Sequence, residues 1–261
     1  MKPCLPSRLL RAAWCLTWLF AVLPTHAQES TNGFTAADFL LAPLRIHLLT
    51  ATNEPAAHTT LTSNDVTRIL AKVNRVWAQA GITFYLESLR VEAAANSAGF
   101  GQRVKTNTDA LLQLRPQPSR GTNVFHVYYL KQFGPNGICI GGLNFVKDTA
   151  SLRAVEGGLD EPLPRVTSHE LGHALTLPHR QSVTNLLASG MSGGWLNELE
   201  IQQARAAAQQ RPWVESAAAV QRQAGSAKAD EARKLWQRLT HIPLECAATR
   251  LARQRVQELA K

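Results

Sequence analysis

Residues 169–179 read HELGHALTLPH, and three of these side chains are histidines. In a helix, His169 and His173 stand four positions apart. Both imidazoles then project from one face, with Cβ atoms about 5–6 Å apart, a separation that one tetrahedral ion bridges. Glu170 lies about 100° further round the helix. It falls outside the ligand set yet close enough to take a proton from a water at the ion's open position. His179 follows Pro178, which cannot continue the helix, and a sharp turn there can bring it back as the third ligand. Three protein ligands with a fourth position left open suit a catalytic zinc rather than a structural one. The expected site is therefore one Zn2+ on His169, His173 and His179, with Glu170 as general base.

Several elements must position this segment. Leu44, Ile46 and Leu48 alternate with Arg45 and His47, the period of a half-buried strand that leaves His47 on the outer face. Thr62 reads as an N-cap with Asp65 three residues on, and Leu61 and Val66 are placed to staple the entry. Val66, Ile69, Leu70, Val73, Trp77 and Ala80 then recur at helical spacing, and Gly81 sits where a C-cap belongs. Ile82, Phe84 and Leu86 alternate in a second strand, giving a β-α-β unit. A short helix is predicted over 108–115 and a third strand over 124–130. Residues 137–146, reading GICIGGLNFV, suit an irregular edge strand with close backbone approach. The site helix is predicted over 165–177, since Pro178 stops it. Asn197 and Glu200 cap a helix over 198–210, and the Ala-, Gln- and Arg-rich tail reads as helical over 214–223, 229–239 and 244–260.

With its histidines and glutamate placed this way, the chain resembles the metzincin clan of zinc peptidases, whose motif is HExxHxxGxxH. It matches that motif at His169, Glu170, His173 and His179, and the order of elements is similar over residues 44–210. The resemblance implies an α+β fold: a twisted mixed β-sheet, an N-terminal-side helix and an active-site helix, here with a C-terminal helical extension. It implies an endopeptidase whose substrate adds as a strand along residues 139–146, with the loop 180–195 shaping the pocket. Two positions depart from the pattern. Thr176 replaces the glycine of the turn, where a β-carbon is disfavoured at about 1–2 kcal/mol. Leu187 stands at the clan's methionine turn, with Met191 four residues late. No tyrosine follows Tyr129, so the tyrosine ligand of astacins and serralysins is absent. The matrixin prodomain cysteine is missing too, and residues 28–43 are too few for a folded prodomain.

The 261 residues suit one catalytic unit and an accessory element, with 45% hydrophobic and 18% charged residues in the globular range. Residues 1–27 carry Lys2, Arg8 and Arg11, a 12-residue apolar run and Thr25-His26-Ala27, and read as a signal peptide for secretion or periplasmic export. That run is too short to span a bilayer. Residues 28–211 are then the catalytic domain and 212–261 the helical extension. Removing the leader lowers the formal charge from +9 to +6, since three of 28 basic residues leave and all 19 acidic ones stay. The basic surplus is dispersed, which argues against nucleic-acid binding. A monomer acting on protein or peptide substrates is expected. Cys4 and Cys15 leave with the leader, so Cys139 and Cys246 are expected to form one disulfide in an oxidising compartment.

Two alternatives stand beside this reading. A gluzincin arrangement would take Glu198, or Glu200, as third ligand in place of His179. A catalytically weak or inactive zinc-binding interaction module would keep the metal without turnover. His58, His126 and His241 read as structural or solvated, Trp195 as core, and Asp148, Glu156, Asp160 and Glu161 are too scattered for a calcium loop.

Overall fold

The computed structural model describes residues 33–261; the expected signal peptide, with Cys4 and Cys15, lies outside the described residues. Its centre is a mixed, mostly parallel sheet. Strand β1 (Leu40–Thr50) leads to helix α1 (Ser63–Trp77), which returns the chain to β2 (Ile82–Ala93) parallel to β1. Thr62 accepts from the Asp65 N–H, and the Asp65 carboxylate accepts from the Thr62 N–H at 2.9 Å, the reciprocal cap read from the sequence. Val66, Ile69, Leu70, Val73 and Trp77 are buried on the face that meets the sheet. Gly81, at φ 56°, makes the left-handed turn into β2.

After the short helices α2 (Phe100–Thr106) and α3 (Ala110–Gln113), β3 (Phe125–Leu130) pairs parallel with the other side of β1. The glycine-interrupted segment is a hairpin rather than one irregular strand. Strand β4 (Gly137–Ile140) is antiparallel to β5 (Leu143–Lys147), and Gly141 and Gly142, both at positive φ, form the two-residue turn. The path β2-β1-β3-β5-β4 leaves β4 at an edge. Helix α4 (Pro162–Ala174) starts three residues earlier than expected. Its first turn accepts Pro162 and Pro164 because those N–H groups have no intrahelical partner. Helix α5 (Glu198–Gln209) has the Asn197–Glu200 cap, and α6 (Ala217–Ser226), α7 (Ala229–Leu239) and α8 (Ala247–Glu258) complete the tail. No described helix is long and apolar enough to cross a membrane.

Both faces of the sheet are covered. Leu44, Ile46, Leu48, Phe84, Val127 and Tyr129 pack with α1 and α4, while Leu49, Tyr128, Leu130 and Phe145 pack with α2 and α3. His47 is therefore not on an outer face: it is 0% exposed and stacks on Tyr128. A central parallel strand has no solvated side, so alternation marks two buried faces of different polarity. The cysteine expectation is also corrected, since Cys139 and Cys246 are both free. The tail packs on Ala36, Phe39 and Leu41 at the start of β1. Cys139, on β4, is three strands away across the sheet, about 14 Å at the usual strand spacing.

His47 lies 2.6 Å from a Glu92 oxygen and 2.9 Å from His126, whose other nitrogen meets the Gly121 carbonyl. Burial pushes the His47 pKa down to about 4, against the opposing pull of Glu92, and lowers that of His126 as well. The unfolded chain binds these protons near pH 6.5. Stability from these groups is thus complete above about pH 6.5 and declines as the pH falls, down through about 4 for His47. Melting temperatures across pH 7 to 4 should fall, and His47→Gln should flatten that slope even if it lowers the plateau.

Candidate metal centre

Helix α4 carries the first two histidines into a cleft of about 690 Å3 between the helix and strand β4. The C-terminus of α4 sends the chain back toward the same cleft. Leu177 N–H donates to the Gly172 carbonyl and Thr176 N–H to that of His173, both at 2.9 Å, the paired bonds of a Schellman turn. Its left-handed position is Thr176, at φ 68°. The glycine-type turn is thus kept with a β-branched residue in it. Gln203 braces it from α5 by donating to the Thr176 carbonyl at 2.6 Å. Pro178 follows, and His179 returns to the two helical histidines.

The three Nε2 atoms converge. His173 Nε2 lies 3.1 Å from His169 Nε2 and 3.1 Å from His179 Nε2, and one ligand atom from each residue falls within 4.8 Å of the others. The opposite ring nitrogens are committed: His169 Nδ1 donates to the Leu186 carbonyl and His173 Nδ1 to that of Leu177, each at 2.8 Å. With those protons on Nδ1, both Nε2 atoms present lone pairs to one another, a repulsive arrangement unless a cation lies among them. A tetrahedral ion with nitrogens at 2.0–2.1 Å sets them about 3.3 Å apart. The donor set and its spacing therefore fit a zinc ion. Burial, then the nearby Arg165, lowers the His169 pKa to about 3, and burial lowers that of His173, so both rings stay in the neutral ligand form.

Glu170 faces the same cleft and is buried, which pushes its pKa up to about 8 against the opposing charge of Arg165. Its seat depends on Gly137 of β4. A β-carbon there would stand 2.6 Å from the Glu170 Oε1 atom and 2.7 Å from a Val166 methyl. Beneath the helix, Leu187 is fully buried, and its Cδ1 lies 3.2 Å from where a β-carbon on Gly172 would stand. Leu187 is thus the apolar floor, whereas Met191 is only partly buried and bridges to Arg153.

Glu198 is exposed on α5 and is not part of the group of converging histidines. Glu200 is 0% exposed but already engaged, bonding Arg180 at 2.6 Å, the Asn185 amide at 2.7 Å and the Asn197 N–H at 2.9 Å. Trp195 is not core: it is 56% exposed and lines a second hollow with Lys72 and Arg75. Its backbone pairs with Thr184 and Leu186, which turns the side chain outward. Sequence reasoning missed Arg165 and Gly137. A charged residue four positions before His169 on an otherwise buried helix was the available signal for the first.

No protein-family model matches this chain, and no curated protein matches it in sequence. Among solved structures, archaemetzincin from Methanopyrus kandleri is similar at 14% identity with a TM-score of 0.37. The likeness covers 83% of this chain and 96% of that one.

Thr176→Gly should stabilise the protein by about 1 kcal/mol, because glycine relieves the left-handed strain while the Gln203 bond to the backbone carbonyl survives. A rise of roughly 2–4 °C in melting temperature is expected for a chain of this size.

Proposed function

We propose that this protein is a zinc-dependent endopeptidase of the metzincin type. The reading is carried by one observation: three imidazoles meet Nε2 to Nε2, with the outward N–H of two of them tied to backbone carbonyls, beside a buried carboxyl in an open cleft. A zinc ion held by His169, His173 and His179 would supply a Lewis acid that polarises a scissile carbonyl and acidifies water.

The remaining steps belong to the chain's own groups. Glu170 accepts the proton of the attacking water and later delivers it to the leaving amine, which requires the carboxylate at the start of the cycle. A cation at the three nitrogens favours that carboxylate and so opposes the burial that raises Glu170 in its absence. Strand β4 borders the cleft as the sheet edge, so its free backbone side would take an extended peptide by strand addition. Ser189 and Gly190 line the cleft's other wall. Export through the 1–27 leader, a catalytic unit over 28–211, a helical extension over 212–261 and a monomeric state complete the proposal.

Glu170→Gln should retain one zinc per chain and lose proteolysis of casein by several orders of magnitude; full turnover would exclude the assigned base. His179→Ala should lower the zinc content. Zinc retained in that variant but lost in Glu198→Ala would restore the gluzincin arrangement.

A further inference from the structure

One buried charge is assigned no step in that chemistry. Arg165 stands one helical turn before His169 and is 1% exposed. Among the described residues no carboxylate lies within ion-pair distance of its guanidinium, although it feels the charge of Glu170. A desolvated cation without an ion-pair partner is costly, so its retention calls for compensation. The compensation is a set of backbone carbonyls. Arg165 Nε donates to Gly193 at 3.1 Å, and one terminal nitrogen donates to Ala188 and reaches Asn185 at 3.5 Å. All three belong to residues 185–193.

This is the segment that supplies Leu186, whose carbonyl accepts the His169 Nδ1 proton, and Leu187, the apolar floor. The other guanidinium nitrogen lies 3.1 Å from His169 Nδ1. Because the Nδ1 proton goes to Leu186, the guanidinium abuts the ring there and limits its rotation rather than bonding to it. The same side chain therefore touches the ring and bonds carbonyls on either side of the acceptor that orients it.

We propose that Arg165 is the positioning residue of the metal centre: by gathering the carbonyls of residues 185–193 onto helix α4, it sets the orientation of His169 and of the floor beneath it. The inference rests on the zinc reading of the site, and it assigns to Arg165 no contact with substrate. A planar guanidinium suits this task because its donors diverge in a fixed fork. A lysine ammonium in its place would reach only part of the set.

The test compares Arg165→Met, Arg165→Lys and Arg205→Met with the wild-type chain. Arg205 is the matched control, since it also donates to backbone carbonyls, those of Ala80, Gly81 and Asp38, remote from the histidines. Zinc affinity is read by chelator competition, ligand geometry by the absorption spectrum of the cobalt-substituted protein, and segment order by hydrogen exchange of the 185–193 amides. Arg165→Met is expected to weaken zinc binding by about 10–100-fold, the usual effect of removing a group that orients a ligand, and to alter the cobalt spectrum. Exchange should accelerate at 185–193, Arg165→Lys should fall between, and Arg205→Met should leave zinc affinity and spectrum unchanged. If Arg165→Met does not fold, Arg165→Lys is read against the same control. Wild-type affinity and spectrum in the Arg165 variants would overturn the inference, as would equal weakening in Arg205→Met. Failure of the wild-type chain to bind zinc would instead overturn the proposed function. The exchange measurement would then decide alone: faster exchange confined to 185–193 supports Arg165 as organiser of the segment, and unchanged protection overturns it.

Discussion

Three imidazole nitrogens gathered together, with that of His173 3.1 Å from each of the other two, are the constraint that the surrounding structure satisfies. Such an arrangement relaxes unless each ring is held from behind. In this protein the hold comes from backbone carbonyls, Leu186 for His169 and Leu177 for His173. Both acceptors lie beyond the end of α4, so the site depends on how the chain leaves that helix. The Schellman turn delivers the Leu177 carbonyl and redirects the chain to His179 within a few residues. Its left-handed Thr176 is the strained point of that path, and Gln203 donates to its carbonyl.

The loop that follows is held by polar groups rather than by apolar contact alone. From the helix side Arg165 collects its carbonyls. From the α5 side, buried Glu200 binds Arg180, Asn185 and its own N-cap, and Asn185 in turn accepts the Leu187 N–H at 2.7 Å. A buried polar group left unpaired costs about 1–3 kcal/mol, so each member of this network constrains the others. Leu186 and Leu187 sit between the two anchors, fully buried in the main core. Directional bonds therefore set the loop's path, and hydrophobic packing closes the space beneath it.

On the opposite wall, close approach matters more than bonding. Gly137 lets strand β4 run against Glu170 and Val166. Gly141 and Gly142 then reverse the chain into β5 and leave β4 on the sheet edge. The tail helices gather instead at the start of β1, with Trp236, Leu239 and Leu244 packed against Phe39 and Leu41. That placement keeps Cys246 and Cys139 in separate clusters.

The sequence alone determined the elements whose cause is local. The Thr62–Asp65 and Asn197–Glu200 caps, the helical spacing from Val66 to Trp77 and the turn at Gly81 each act within a few residues, so their outcome was legible without knowing the fold. The i, i+4 histidines and the stop at Pro178 were legible on the same ground, as was the left-handed demand on Thr176. Tertiary structure decided whatever depended on what lies across a face. It alone could show that both sides of β1 are covered, which buries His47, and that Trp195 points out of its loop. It also decided that Glu200 is spent on Arg180 and Asn185, that residues 137–146 fold back as a hairpin, and that a charged Arg165 lies buried among carbonyls. Alternation and spacing report which residues share a side, whereas desolvation and bonding partners are set by chain segments distant in sequence.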